Sequence, residues 1–323
     1  MFMVTGGAGF VGSHIVSALN ARGTSDILVV DDLTRGEKFK NLATCQIADY
    51  LDKRDLFDAL DSLETPLTAI LHQGACTDTL ESDGRYLMEN NFTFSKRLLA
   101  YAQREQIPFI YASSASIYGK EGRFLPEAPN ERPVNAYGYS KLAFDQYVRA
   151  RIDRLQGTVV GLRYFNVFGP REALKGRMAS MVYQVFRQVR EGGVARLFEG
   201  TDGFEDGEQR RDFVFVNDVV EANLFFAEGP ARRGIYNLGS GVSHSFNDLA
   251  RLVIARLGAG SIEYIPFPAG LEPCYQSLTE ADLTSLREAG FAREMTSLAV
   301  GIEDCLQAWA PEISATEGVG SSS

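Results

Sequence analysis

A chain of 323 residues, 45% hydrophobic and 23% charged, is long enough to bury one large core or two. Its formal net charge of −10 sets up a mean field that repels polyphosphate and acidic membranes, which excludes broad nucleic-acid or membrane-surface binding and leaves any anionic ligand to local donors. No run of eighteen apolar residues occurs, and MFMVTGGAGF enters a glycine loop with no basic segment or cleavage site ahead of it, so a cytoplasmic protein is expected.

The first predicted strand, MFMV, is followed by a glycine-rich turn at Gly6, Gly7, Gly9 and Gly12 and by a helix over residues 13–21. The spacing Gly7-x-Gly9-x-x-Gly12 matches the dinucleotide fingerprint, in which glycine permits the tight turn, lets backbone approach a pyrophosphate and packs helix on strand. Asp31 and Asp32 close the next predicted strand, DILVV, at the interval of about 20 residues expected for a ribose contact. A carboxylate there favours the free ribose of NAD. Arg35 and Lys38 in DDLTRGEKFKN can instead pair with the extra phosphate of NADP, so both dinucleotides stay open on the residues alone.

Further strands are predicted at CQIA around Ile47, TAILH around Ile70 and PFIYAS around Ile110, with helices over 53–62 and 86–104 between them. The third of these strands ends in Ser113 and Ser114. A helix over 139–154, opening at NAYGYSKLAFDQY, brings Tyr137 and Lys141 onto one face, because residues four apart are neighbours there. An ammonium beside a phenol stabilises the phenolate and pulls its pKa below about 10. Tyr137 is therefore the expected general base, Ser114 a hydrogen-bonding partner of the reacting hydroxyl, and Lys141 also a hold on the nicotinamide ribose. With TVVGLRYF around Val160, the alternation predicts an α/β fold: a Rossmann-like, doubly wound parallel sheet over residues 1–170.

Beyond Gly169-Pro170 the pattern changes. Helices over 178–191 and 246–257 mix with short strands ARLF, FVFV, IYNLG and IEYIPF, predicting a smaller C-terminal α/β substrate-binding lobe over 171–314, with FVFV and IYNLG able to return to the main sheet. TDGFEDGEQRR, residues 201–211, reads as a mobile surface loop, and 315–323 as a disordered tail. Cys45, Cys76, Cys274 and Cys305 lack metal or redox spacing and are expected as reduced thiols; the histidines are equally scattered, and no metal site is predicted.

TGGAGFVGS, SSASIYG, YGYSK, RYFNVFGP and RRDFVFVNDV together resemble, over nearly the whole chain, the extended short-chain dehydrogenase/reductase family, whose members act mainly on nucleotide sugars. The resemblance implies Ser114, Tyr137 and Lys141 as the catalytic triad, Asn90 as support for cofactor or helix geometry, and Asp49 near the adenine. Dehydratases of the family carry an Asp-Glu pair just after the strand-end hydroxyl. This chain has Ala115-Ser116, which disfavours dehydration and leaves epimerisation. In RYFNVFGPREALKGRMASMVYQ, Lys175 follows the FGP turn. Inverting a hydroxyl-bearing carbon through a ketone presents that hydroxyl in two directions, so a second base there has a chemical purpose.

DDLTRGEKFKNL, IADYLDKRD, LHQGACTDT, DGRYLMENN, LFEGT, IEYIPFP and YQSLTEADL resemble the members that epimerise an ADP-linked heptose. That similarity implies Tyr137 and Lys175 as paired bases and a tightly held NADP, with NAD the alternative. Around the cofactor it implies Gly6, Gly7, Gly9, Phe10, Val11, Gly12, Asp31 and Asp32, with Lys38 and Lys53 helping. Gln73, Gly74, Ala75, Cys76, Thr77, Asn90, Lys141, Val167 and Lys175 complete that set. Around the heptose it implies Ser114, Asn166, Arg177, Gln184, Phe198, Glu199, Gly200, Thr201, Arg211 and Tyr275. It also implies a homo-oligomer, a pentamer among the options. Arg177 stands where familiar members carry a small serine, Gln184 where they carry histidine, and the loop before Arg211 is longer. Two rivals stay open: a UDP-sugar 4-epimerase, which needs no role for Lys175, and a non-catalytic dinucleotide-binding regulator.

Overall fold

Twelve strands and ten helices are ordered along the chain as β1 (Phe2–Thr5), α1 (Phe10–Ala21), β2 (Ile27–Asp31), β3 (Asp49–Asp52), α2 (Leu56–Ala59), β4 (Ala69–His72), α3 (Gly84–Leu87), α4 (Phe94–Arg104), β5 (Phe109–Ser114), α5 (Ala136–Arg149) and β6 (Val159–Tyr164) in the first half. The second half adds β7 (Asn166–Phe168), α6 (Met181–Gly192), β8 (Val194–Phe198), β9 (Arg210–Phe215), α7 (Val216–Glu228), β10 (Arg233–Leu238), β11 (Ser243–Ser245), α8 (Phe246–Leu257), β12 (Ser261–Ile265), α9 (Thr284–Glu288) and α10 (Leu298–Glu317). These counts refer to the residues that the computed structural model describes: 1–120, 123–272 and 275–317, with side chains through 310.

Seven strands pair in parallel in the order β10-β6-β5-β4-β1-β2-β3. Their apolar runs suit a sheet covered on both faces. Along β1 and β2 successive side chains alternate, so Val4 and Val29 face α1 and α7 while Met3 and Leu28 face α4 and α5. Strand order reverses between β1 and β4, which opens a crevice at the carboxyl ends of the strands, where ligands of such sheets bind. Among the described residues no helix is long and apolar enough to cross a membrane.

IYNLG returns to the main sheet as part of β10, beside β6, whereas FVFV belongs to β9 in a separate three-stranded sheet, β11-β9-β7. A second core joins α6, α8 and α10 through Val185, Phe186, Leu249, Val253 and Trp309. The strand predicted at CQIA lies instead at Asp49–Asp52: it is a sheet edge with one paired neighbour, which tolerates the polar sequence DYLD. The helix expected over 86–104 is broken into α3, a π-helical turn at Met88–Thr93 and α4. The helix carrying Tyr137 starts earlier than expected, where Asn135 accepts a hydrogen bond from Gly138 N at 2.7 Å as its N-cap.

The segment expected as a mobile loop before Arg211 is pinned at both ends. Asn247 donates to the Asp206 carbonyl at 2.8 Å and to Glu208, and Asp202 accepts from Ser277 Oγ at 2.6 Å and pairs with Lys120. Its charged residues are used as caps and ties. α10 runs through Glu317, so the tail expected from residue 315 begins inside a helix; residues 318–323 lie outside the described residues. Cys45, Cys76 and Cys305 are free thiols, and Cys274 falls outside the described residues.

Candidate active site

The glycine loop is shaped by close approach. Gly6 adopts φ +65°, and a Cβ on Gly12 would stand 2.1 Å from the Gly6 carbonyl oxygen, while one on Gly6 would stand 2.7 Å from Gly74 N. Only glycine fits between β1, α1 and the loop after β4. Gly9 caps α1 with no side-chain hydrogen bond, and the first turn at Phe10, Val11 and Gly12 carries no acidic residue. The helix thus offers its free amides and dipole to an anion at the crevice. A cradle that a Cβ would fill, lined with backbone donors, fits a dinucleotide pyrophosphate.

Asp31 already has partners in the protein alone. Its buried carboxylate accepts from Ala8 N at 2.8 Å and from Asp32 N at 2.6 Å, and it pairs with Lys38, which also donates to the Asp32 carbonyl at 2.8 Å. Asp31 therefore holds the glycine loop in place. Asp32 accepts from Thr34 N at 2.9 Å and pairs with Lys53 at 3.4 Å; the Thr34 hydrogen bonds, helped by Lys53, hold its carboxyl well below the usual range. Asp49 sits opposite Leu28, three residues below the carboxyl end of the edge strand, where Asp52 faces Asp31. It is the end with Asp52 and Lys53 that borders the crevice.

After β4, the side chain of Gln73 is engaged by Asn223 Oδ1 at 3.0 Å and by the Tyr164 hydroxyl at 2.8 Å, and Gly74 N donates to Thr5 Oγ1. Ala75 follows, then Cys76, and Thr77 is exposed. The asparagine that supports this loop is Asn91, next to Asn90. Fully buried, Asn91 accepts from Cys76 N at 2.8 Å and donates to the Cys76 carbonyl at 3.0 Å and Ser140 Oγ at 2.9 Å, tying the loop to α5. Asn90 instead donates to the Tyr86 carbonyl and accepts from Lys53. The π-helical turn inserts an extra residue, which rotates the inward face by one position. No periodicity argument on MENN finds that shift.

Ser114, Tyr137 and Lys141 come together at the carboxyl end of β5. Tyr137 is buried and hydrogen-bonded with Ser114, and Lys141 Nζ donates to the Ala112 carbonyl at 2.9 Å. Burial raises the Tyr137 phenol above its ordinary value, with the Ser114 hydrogen bond opposing, and burial brings the Lys141 ammonium down to about 8. In the protein alone desolvation of the phenolate sets the direction, and the expected lowering by Lys141 does not contribute. Cys76 lies near enough to act electrostatically on both.

Across the crevice, Lys175 sits half-buried in a 3-10 turn, its Nζ 4.9 Å from the centre of the Phe10 ring at the first turn of α1. Burial lowers its pKa, with Glu172 opposing. Glu172 is wholly buried and spends its carboxyl on Gly169 N, Ser180 N and Ser180 Oγ, which fixes the turn. Arg177, expected at the substrate, pairs with Asp78 of the loop after β4 and spans the crevice mouth. Gln184 donates to the Gly176 carbonyl at 3.2 Å. Val167 lies in β7 opposite Val214, and the exposed Asn166 accepts from Thr279.

The second wall is aromatic and cationic. Phe198 packs on Phe267, Phe267 on Tyr275, and the buried Arg211 guanidinium lies 4.8 Å from the Tyr275 ring and 5.5 Å from Phe246. Among the described residues no carboxylate pairs with Arg211, and burial lowers its pKa. A buried cation without a counter-charge is costly, which suits a place for an anionic group. Glu199 N and Gly200 N are held by the Ile265 carbonyl and Asp206, and Thr201 accepts from Phe204 N.

Comparison with known proteins gives concordant results. The NAD dependent epimerase/dehydratase family matches residues 2–239. The chain is 54% identical over 310 residues to the ADP-L-glycero-D-manno-heptose-6-epimerase of Alkalilimnicola ehrlichii, covering 95% of this chain and 97% of the relative. Among solved structures it superposes on the Helicobacter pylori ADP-L-glycero-D-manno-heptose-6-epimerase with TM-score 0.84 and 31% identity, covering 97% of this chain and 96% of that one. The Thermus thermophilus UDP-glucose 4-epimerase, solved with NAD, gives TM-score 0.79 and 29% identity over 96% of this chain and 98% of that one.

Proposed function

The chain belongs to the NAD dependent epimerase/dehydratase family, and from that premise we propose that it interconverts ADP-D-glycero-β-D-manno-heptose and ADP-L-glycero-β-D-manno-heptose through a transient 6″-ketone. The observation that carries the reading is the buried Ser114–Tyr137–Lys141 cluster set beside the glycine cradle, with Lys175 on the α1 side. The product is an activated heptose for the inner core of lipopolysaccharide. We propose a cytoplasmic homo-oligomer, pentameric by resemblance. Residues 1–170 hold the cofactor and 171–314 mainly the substrate, with α7 and β10 returning to the cofactor side.

The nicotinamide, when bound, supplies reversible hydride exchange with the sugar carbon. Tyr137 takes the hydroxyl proton of one epimer and returns it, with Ser114 donating a hydrogen bond to the oxygen as it becomes a carbonyl. Lys141, anchored on the Ala112 carbonyl, keeps a positive charge beside the phenol. Lys175 exchanges the proton of the other epimer, whose hydroxyl points to the opposite wall; a turnover leaves one base with a proton gained and the other with one lost, and exchange with solvent resets both. Arg211 receives the diphosphate, and the closely packed aromatic wall around Tyr275 excludes water. Oxidation and reduction cancel over one turnover, so the cofactor is retained.

Purified protein without added cofactor is expected to convert ADP-D-glycero-D-manno-heptose into an equilibrium mixture of the two epimers, resolved by chromatography. No conversion of the heptose beside rapid turnover of UDP-glucose makes the protein a 4-epimerase instead.

NADP is the assigned dinucleotide. Asp31 accepts from Ala8 N and pairs with Lys38, and Asp32 pairs with Lys53, so the two carboxylates closing β2 are countered and no net negative charge is left there to repel a ribose phosphate that Lys38 and Lys53 can turn to. Lys38→Ala is expected to weaken NADP binding about tenfold, the loss of one charge-assisted contact, and NAD binding less than twofold. Equal changes in the two Kd values, read by fluorescence titration, remove the phosphate assignment.

A further inference from the structure

We propose that Asp145 is the positioning residue of the catalytic pair: its buried carboxylate fastens α5 to the end of β5 in the one register that sets Tyr137 beside Ser114 and Lys141 against Ala112. The inference rests on the epimerase reading above. Tyr137, Lys141 and Asp145 are spaced at successive intervals of four and form a single stripe along α5. Each four-residue step rises about 6 Å, close to the span of two strand residues. The stripe lies along β5, which runs the other way beneath it.

Every rung is occupied. Ser114 hydrogen-bonds with Tyr137, and the Ala112 carbonyl accepts from Lys141 Nζ at 2.9 Å. Tyr111 and Ser113, which share the opposite pleat, donate to the two oxygens of Asp145 at 3.0 and 2.9 Å. Arg163 on β6, the register partner of Ser113, donates Nε to Asp145 at 2.9 Å. Both Asp145 and Arg163 are wholly buried. Four consecutive residues of β5 are thus tied to three residues of α5, and a slip of one residue would break all of these ties and leave two charges unpaired in the core.

The network is electrically closed. Arg163 also pairs with Glu131, and Glu131 with Arg149, giving two cations and two carboxylates. The groups facing Asp145 are Tyr111 and Ser113 from β5, Arg163 from β6 and Lys141 on its own helix; Glu131, Arg149 and the Tyr118 ring lie behind Arg163. Burial draws the Lys141 ammonium down to about 8, and the Asp145 charge works against it. Asp145 thereby both places Lys141 and keeps it charged.

The test is Asp145→Asn, which preserves shape and removes the charge. The Lys141 titration is followed by NMR of carbon-labelled lysine, assigned with Lys141→Met, and needs no sugar substrate. A folded Asp145→Asn protein is expected to show the Lys141 midpoint lowered by about one pH unit, with kcat at pH 7 reduced about tenfold and KM within twofold. An unmoved midpoint, or wild-type kcat, in the folded variant overturns the proposal. Wild-type turnover of the ADP-heptose is measured separately, so failure of the epimerase reading is told apart from failure of this one. If Asp145→Asn does not fold, Ser113→Ala removes one rung and no charge. Its kcat is expected to fall several-fold with KM and the Lys141 midpoint unchanged, and wild-type kcat there overturns the register claim.

Discussion

Tyr137→Phe is expected to lower kcat for heptose epimerisation by about a thousandfold, inside the 10²–10⁴ range of general acid–base catalysis, with KM and melting temperature nearly unchanged. The ring is only 8% exposed, and Phe retains it, so the packing of α5 on β5 survives. The hydroxyl's hydrogen bond is with Ser114, whose oxygen also accepts from Ser116 N at 3.2 Å and keeps that contact in the variant. What is deleted is the group proposed to exchange a proton with the sugar oxygen. Because burial holds the phenol above its ordinary pKa, it is a protonated donor at neutral pH in the protein alone, suited to delivering a proton to the ketone oxygen. Steady-state assays from each pure epimer check the expectation. Retention of more than a tenth of kcat in a folded variant would rule Tyr137 out as the proton carrier.

Local constraints were the legible part of the chain. The Gly7-x-Gly9-x-x-Gly12 spacing points to a close backbone approach, and the structure shows one: the Gly12 Cβ position is 2.1 Å from Gly6 O. The four-residue spacing of Tyr137 and Lys141 and the strand end at Ser114 likewise follow from short-range periodicity. Non-local pairing was not legible. Asp31 reads as a ribose ligand, and only the structure shows that it also ties Lys38 and Ala8 N to the end of β2. Asn91 ties the loop after β4 to α5 because a π-helical turn, which no apolar period announces, rotates the face. Asp145 reads as one more charge on a helix, since Arg163, Tyr111 and Ser113 are brought to it only by sheet register. Charges in 201–211 suggested a surface segment, and Asp202, Glu205 and Asp206 are exposed; what was not legible is that Asp202, Asp206 and Glu208 also serve as ties, because Asn247 and Ser277 meet them from distant segments.

Lys175→Met is expected to lower kcat by on the order of 10²-fold, the low end of what one proton-transfer group contributes. Methionine keeps most of the aliphatic stem, so packing against Phe10 persists while the ammonium, 4.9 Å from that ring, is lost. The turn itself is held by hydrogen bonds of Glu172 to Gly169 and Ser180 that methionine leaves in place, although Glu172 loses the positive charge that opposes its burial. Burial lowers the Lys175 pKa and brings its neutral form closer to working pH, as a base requires. The two-base arrangement makes a sharper demand than a simple loss of rate. If Tyr137 serves one hydroxyl direction and Lys175 the other, single-turnover dinucleotide reduction in Lys175→Met should remain fast from one pure epimer and become slow from the other. Tyr137→Phe should show the reverse preference. Equal slowing from both epimers assigns Lys175 a binding role, and full activity in Lys175→Met removes it from the chemistry and leaves Tyr137 to serve both faces.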